Sequence, residues 1–202
     1  MTVTVVIPTI PERHDAFLIA LDSVGRQTVE DVVVFAMPDG PDPDLERIVA
    51  ESDCPGVRFI ADHDRLRIIP LGRRWHPPGW GAAQRLVAGY LAETEYIAYL
   101  DDDNAWKPDH LEGLLSAIAG GYDFVFSQMV IPGGRVIGDS PVMGHIDTSM
   151  ILHRTELLRK STWDPTEGYG NDGWLAERWV AAGARSLCVE RPTVIYRRGE
   201  HR

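Results

Sequence analysis

Cysteine is almost missing from this chain. Only Cys54 and Cys188 occur among 202 residues, and no metal-ligand spacing joins them. That argues against a disulfide scaffold and against a cysteine-built metal centre. The simplest reading is two reduced, unrelated thiols in a cytoplasmic protein; a single bridge between them is the less favoured alternative. Long apolar runs are missing too. No stretch reaches the roughly 18 residues that a membrane helix needs, and the first residues lack the basic and apolar regions expected of a secretory signal. There is no cationic excess: 20 Lys and Arg face 30 Asp and Glu, a formal net charge of −10. A general duplex-DNA binder needs surplus cations to neutralise phosphates, so that class is disfavoured, although a local basic site is not. Internal repeats, low-complexity tracts and linkers are absent as well. With 44% hydrophobic residues the chain can bury one sizeable core, and its length fits one domain at roughly 100–200 residues each.

What is present is concentrated in one stretch, YIAYLDDDN at residues 96–104. A short apolar run, rich in aromatic and β-branched residues, reads as a buried strand. It ends in three adjacent carboxylates, Asp101, Asp102 and Asp103. Parallel sheets present their ligands beyond the carboxyl ends of their strands. If the extended path continues, Asp101 and Asp103 project to one side. Adjacent carboxylates repel unless a cation or donor sits among them, and clustered carboxylate oxygens suit a hard divalent ion such as Mg2+ or Mn2+. The structural alternative is a solvated acidic turn. A helix is expected next: Pro108 suits a first helical position, Asp109 and Glu112 its first turn, and Leu111, Leu114, Leu115 and Ile118 recur at helical spacing before Gly120-Gly121.

Along the rest of the chain, strands are expected at residues 2–7 and 31–37, more weakly at 57–60 and 67–71, and again at 96–100. Helices are expected at 14–26, 45–51 and 82–93. Pro8 and Pro11 should stop the first strand, since neither can donate to a ladder, and 38–43 (PDGPDP) is a turn signal. This alternation argues for layered α/β architecture around a mostly parallel sheet. Past the acidic cluster the pattern loosens, with strands at 122–130, 136–137, 149–152 and 189–196 and helices at 155–160 and 173–182.

The stretch EYIAYLDDDNAWKPDHLEGLL resembles the metal-binding strand-loop-helix of family 2 glycosyltransferases with the GT-A fold. Asp101 and Asp103 fill the two acidic positions of that pattern, Trp106 its aromatic position and Pro108 its proline. The resemblance extends over nearly all of the chain. VVIPTIPERHD looks like the first strand and nucleotide-contacting turn. DVVVFAMPDGPDPDL resembles the second strand with its DDGS-type turn, although Pro38 replaces the first acidic residue. GWGAAQRLVAGYLAETEYIAYLDDD resembles the segment that leads into the metal strand, with Arg85 at or near its arginine. GHIDTSMILHRTELL resembles the acceptor-side strand, and YGNDGWLAERW the late motif that carries the catalytic base. The resemblance implies a GT-A domain with a Rossmann-like, mostly parallel sheet covered by helices on both faces. Residues 1–104 would be its nucleotide-sugar half and 105–202 its acceptor half.

It also implies roles. Asp103 would coordinate Mn2+ or Mg2+, with Asp101 on the ribose, the metal or a metal-bound water. Asp102 would brace the loop through backbone amides. Asp172 would be the base that deprotonates the acceptor hydroxyl, with Glu167 and Glu177 as fallbacks; its structural alternative is the N-cap of the helix that follows. Pro8, Thr9, Arg13, Asp39 and Arg85 are candidate contacts to the nucleotide-sugar, Asp39 as acceptor from a base N–H. The alternatives are a plain β-turn at Asp39 and solvated surface arginines. His201, in a basic tail with Arg197, Arg198 and Arg202, is a candidate third metal ligand or a loose terminus. Trp75, Trp80, Trp106, Trp163 and Trp174 border the site as possible acceptor platforms, Trp174 foremost, together with His145; large apolar side chains are more often core. The expected reaction is a metal-dependent, inverting transfer from a nucleotide-sugar, by resemblance a UDP-sugar, to a hydroxyl acceptor whose site comes from residues 122–202 or from a partner. Two rival readings are a GT-A-like nucleotidyltransferase, which would need a basic glycine loop where PTIPER stands, and a non-catalytic nucleotide-sugar-binding protein.

Overall fold

The computed structural model describes residues 2–74 and 81–197. Strand β1 (Val3–Thr9) is buried along its whole length, as its largely apolar sequence suits a strand covered on both faces. Helix α1 (His14–Gly25) follows and buries Phe17, Ala20, Leu21 and Val24 on one side. Then come β2 (Val32–Pro38), α2 (Leu45–Glu51), α3 (Pro55–Asp62), β3 (Leu66–Ile68), α4 (Ala82–Leu91), β4 (Tyr96–Tyr99) and β5 (Asn104–Trp106). The second half holds α5 (His110–Ile118), β6 (Phe124–Val130), β7 (Val136–Ile137), β8 (Ile151–Arg154), α6 (Asn171–Ala181) and β9 (Ser186–Tyr196).

These strands form one sheet in the order β3-β2-β1-β4-β8-β6-β9-β5, with β7 on β6. The β3-β2-β1-β4 part is parallel, as the alternation of strands and helices requires. Beyond β4 the sheet is mixed. β8 runs antiparallel to β4 and β6, whereas β9 runs parallel to β6. One hydrophobic cluster runs through both halves, from Val3 and Phe17 to Trp179 and Val194.

Three local expectations need correction. Residues 57–60 are helical, inside α3. Pro55 opens that helix and Val57 and Ile60, three apart, share its buried side, so a four-residue apolar reading mistook one helical face for a strand. Pro8 does not stop β1. Pairing to β4 ends at Val6, so the missing N–H lies past the last bond on that side, while pairing to β2 continues to Thr9. Between the acidic cluster and its helix lies β5, which pairs antiparallel with the end of β9. Smaller shifts are ordinary at element ends: β8 starts at Ile151 after a single turn of 3₁₀ helix, Thr148–Met150.

Candidate functional site

The carboxyl ends of β1, β2 and β4 lie side by side, and each continues into a polar segment. β1 ends in Thr9 and is followed by a turn that carries Arg13. β2 is followed by Asp39, 3% exposed, whose N–H donates to the Thr9 carbonyl at 2.8 Å. β4 is followed by Leu100 and the three aspartates. Pro8, Thr9, Arg13, Asp39, Arg85 and all three aspartates line a single cavity of about 330 Å³, within the range of small-molecule sites. Asp172 lines the same cavity from the second half, beside Asp147 and Thr148.

The acidic side chains divide the available cations. Asp102 is nearly buried and accepts from Arg13 Nη1 at 2.9 Å. Burial pushes its pKa up to about 6, with Arg13 and the Thr9 hydroxyl pulling the other way. Among the described residues Asp102 is therefore braced by the Arg13 and Thr9 side chains, where backbone amides were expected. Asp103 lies 3.3 Å from the same Arg13 nitrogen. Asp101 pairs at 2.5 Å with Arg85, whose guanidinium is buried and lies 5.0 Å over the Trp163 ring. The Arg85 guanidinium is thus held between a carboxylate and an aromatic face.

Asp172 sits in the first turn of α6; Gly170, at φ 91°, occupies the cap position. The alternative reading of Asp172 as the N-cap is therefore not the role it plays. Its Oδ2 accepts from the Thr148 N–H at 3.0 Å and the Thr148 hydroxyl at 3.4 Å, and its Oδ1 from the Gly173 N–H at 2.8 Å. Burial raises its pKa, and the charge of Asp101 adds to that; the Gly173 and Thr148 amides and Arg85 oppose it. Asp147 is raised likewise, by burial and by the charges of Asp101 and Asp172. Close approach of α6 to the 142–148 segment depends on Gly173, where a Cβ would lie 2.3 Å from the Met143 Cα. Glu177 holds that segment by accepting from the Met143 N–H at 2.9 Å. Glu167 pairs with Arg178 at 2.5 Å. Both fallback bases are thus committed elsewhere, and neither lines the cavity.

Several expected acceptor residues lie apart. Trp163 is buried beneath Arg85. Trp106 is buried, stacks on His110 at 4.4 Å and donates from Nε1 to the Ser149 carbonyl at 2.8 Å. Both rings belong to the hydrophobic core cluster, Trp106 from β5. His145 is exposed and hydrogen-bonded to Asp139 at 2.8 Å. Trp174 is partly exposed. Neither lines the cavity. Trp75, Trp80, Arg198, His201 and Arg202 lie outside the described residues. Asp147 and Ser149 were not singled out in the sequence. The signal available was their place just before a strand that returns to the sheet beside β4.

Among the described residues no three His, Cys, Asp or Glu side chains converge as a ready cage. Asp101 and Asp103 face the cavity from one short loop. One or two carboxylates completed by substrate phosphates and water is the arrangement that Mg2+ favours, so the residues fit an ion shared with a diphosphate. Among the described residues no helix is long and apolar enough to cross a membrane.

Known proteins share this fold. The mannosyltransferase PcManGT from Pyrobaculum calidifontis, solved with GDP-Man and Mn2+, superposes with a TM-score of 0.73 at 17% identity, over 98% of this chain and 58% of that one. S. aureus TarS 1-349 in complex with UDP-GlcNAc superposes with a TM-score of 0.75 at 18% identity, over 100% of this chain and 60% of that one. The fold is therefore the GT-A fold of these glycosyltransferases. The succinoglycan biosynthesis protein ExoW of Rhizobium meliloti is 32% identical over 109 residues, 54% of this chain and 31% of that protein. The chain thus spans about a third of its curated relative and about 60% of these solved chains. The glycosyl transferase family 2 model matches residues 4–173, and the chain belongs to that family.

Proposed function

We propose that this chain is the catalytic part of a metal-dependent, inverting glycosyltransferase that moves a sugar from a nucleotide-sugar, of the UDP class, to a hydroxyl acceptor. One observation carries the reading: a single cavity joins Asp39 and Thr9 at one side, the acidic loop in the middle and Asp172 opposite. Family membership over residues 4–173 supports it. So do the fold's relatives solved with UDP-GlcNAc and with GDP-Man and Mn2+.

In this reading the nucleotide lies across the ends of β1 and β2, and the Asp39 carboxylate accepts from the base. Asp103 and Asp101 would hold Mn2+ or Mg2+, which would supply positive charge to the departing diphosphate. Arg13 and Arg85 keep the carboxylates in place and add positive charge of their own. Asp172 accepts the proton of the acceptor hydroxyl as that oxygen attacks the anomeric carbon from the face opposite the diphosphate. Its three hydrogen-bond donors fix the carboxylate, and its raised pKa brings it closer to the range in which a general base works best. Inversion follows in this reading from Asp172 acting as base on the acceptor side, with the acceptor oxygen attacking the anomeric carbon directly.

The test is a thermal-shift series with UDP, UDP-sugars and GDP-mannose, each with Mn2+ and with chelator, followed by measurement of nucleoside diphosphate release. A ligand at one hundred times its Kd stabilises the fold by about 2.7 kcal/mol. A shift that needs both Mn2+ and a uridine nucleotide supports the reading. No shift and no diphosphate release with any donor would refute it.

A further inference from the structure

We propose that Ser149 is a positioning residue that sets the acidic loop in register with Asp172; the proposal rests on the roles given to these carboxylates above. Ser149 is fully buried. Its hydroxyl oxygen accepts from the Asp101 N–H at 3.2 Å and from Asn104 Nδ2 at 2.9 Å. Its carbonyl accepts from Trp106 Nε1 at 2.8 Å. Three bonds from one residue therefore reach the 101–106 segment, which carries the acidic loop. The Ser149 N–H donates to Asp147 Oδ1 at 2.9 Å and closes the turn.

The residue before it completes the link. The Thr148 N–H and hydroxyl both bind Asp172 Oδ2. Consecutive Cα atoms are fixed at about 3.8 Å by a planar peptide, so Thr148 cannot move without Ser149. The candidate metal-binding loop and the candidate base are thus tied through two adjacent residues that belong to neither. The Ser149 hydroxyl spends its bonds 45 and 48 residues away.

The chemistry gives the link its purpose. The acceptor oxygen, the anomeric carbon and the departing oxygen must lie in line, and an error of about 1 Å in such an alignment can cost on the order of a hundredfold in rate. Asp172 sets one end of that line and the acidic loop the other. Ser149 sets the separation.

The experiment compares Ser149→Ala and Asn104→Leu with the wild type. Folding is checked by circular dichroism, binding by titration of UDP with and without Mn2+, and turnover by diphosphate release from a UDP-sugar. Ser149→Ala is expected to lower kcat per folded molecule by about tenfold or more and to raise the Mn2+ half-saturation. UDP affinity without metal should stay unchanged. Asn104→Leu removes one of the same bonds and is expected to act in the same direction, less strongly. In an Asp172→Asn background the loss caused by Ser149→Ala should largely vanish, because no base remains to be misplaced; a merely structural serine would show the same loss in both backgrounds. If Ser149→Ala does not fold, Asn104→Leu decides. Folded variants with kcat and Mn2+ half-saturation at wild-type values would overturn the proposal. If the wild type releases no diphosphate, the functional reading falls. The Mn2+ dependence of UDP binding then decides on Ser149 alone, and identical dependence in wild type and variants would overturn it.

Discussion

Asp39, Asp101–Asp103 and Asp172 were readable as single residues for one reason: each follows an apolar run or a glycine-marked turn, where a side chain at a strand end or helix start meets a crevice. Asp39 keeps its place through a backbone bond, its N–H to the Thr9 carbonyl at 2.8 Å, which survives any change of side chain. Asp39→Ala is therefore expected to leave the melting temperature near wild type while weakening UDP binding by about 1–3 kcal/mol, the cost of an unpaired donor in a desolvated site. Calorimetry with UDP checks this; unchanged affinity would make Asp39 a turn residue and nothing more. Other residues were not readable. Trp106 and Trp163 look like ligand platforms because both stand beside loops, yet both are buried, in contact with Ser149 and Arg85, which are distant in sequence. Ser149 lies inside the stretch GHIDTSMILHRTELL without standing out in it, and only the return of its strand beside β4 gives its hydroxyl partners.

At the scale of elements, β1, β2, β4 and α1, α4, α5 followed from periodicity, and the parallel half of the sheet followed from their alternation. The three-residue β5 and the mixed order beyond β4 did not. A strand that short has no period to read, and antiparallel return strands are set by tertiary pairing. The seating of α6 is a tertiary matter too. Gly173 lets that helix approach the backbone of Met143, where an added Cβ would lie 2.3 Å from Cα and 2.7 Å from N. Gly173→Ala is expected to push the 142–148 segment away and to cost about 1–3 kcal/mol, as overpacking does. Turnover should drop as well, because the Thr148 donors to Asp172 move with that segment. Gly168→Ala, where a Cβ would meet nothing within 4 Å, is the control and should melt like wild type. Equal melting temperatures for both variants would contradict this account of the helix.

On the scale of the whole molecule, a single core supports both halves, and two buried histidines tie its stability to pH. His153 bridges the Tyr99 hydroxyl and the Arg154 carbonyl at 2.8 Å each, and burial lowers its pKa to about 4. Burial lowers His110 to about 3. In the unfolded chain both titrate near 6.5. Their folded values are depressed, so the stability they contribute is present above about pH 6.5 and is lost as the pH falls towards 4, at about 1.4 kcal/mol per pH unit for each. Asp102, raised to about 6, works in the opposite sense, so the isolating measurement is a difference. The stability of His153→Gln should fall less steeply than that of wild type between pH 6.5 and 4 in denaturant titrations. Parallel slopes would show that His153 is not held neutral by the fold.

The central claim is that Asp172 deprotonates an acceptor hydroxyl opposite a nucleotide-diphosphate held by the acidic loop. The most direct test is turnover of Asp172→Asn with a UDP-sugar, Mn2+ and an accepting hydroxyl compound, measured beside its UDP affinity. An amide keeps one acceptor for the Thr148 and Gly173 donors and cannot take up the proton. Proton removal by a positioned base contributes roughly 10²–10⁴-fold. The account predicts a loss of turnover of that size in a folded protein that binds UDP with Mn2+ as wild type does. Near-normal turnover in that folded variant would contradict it.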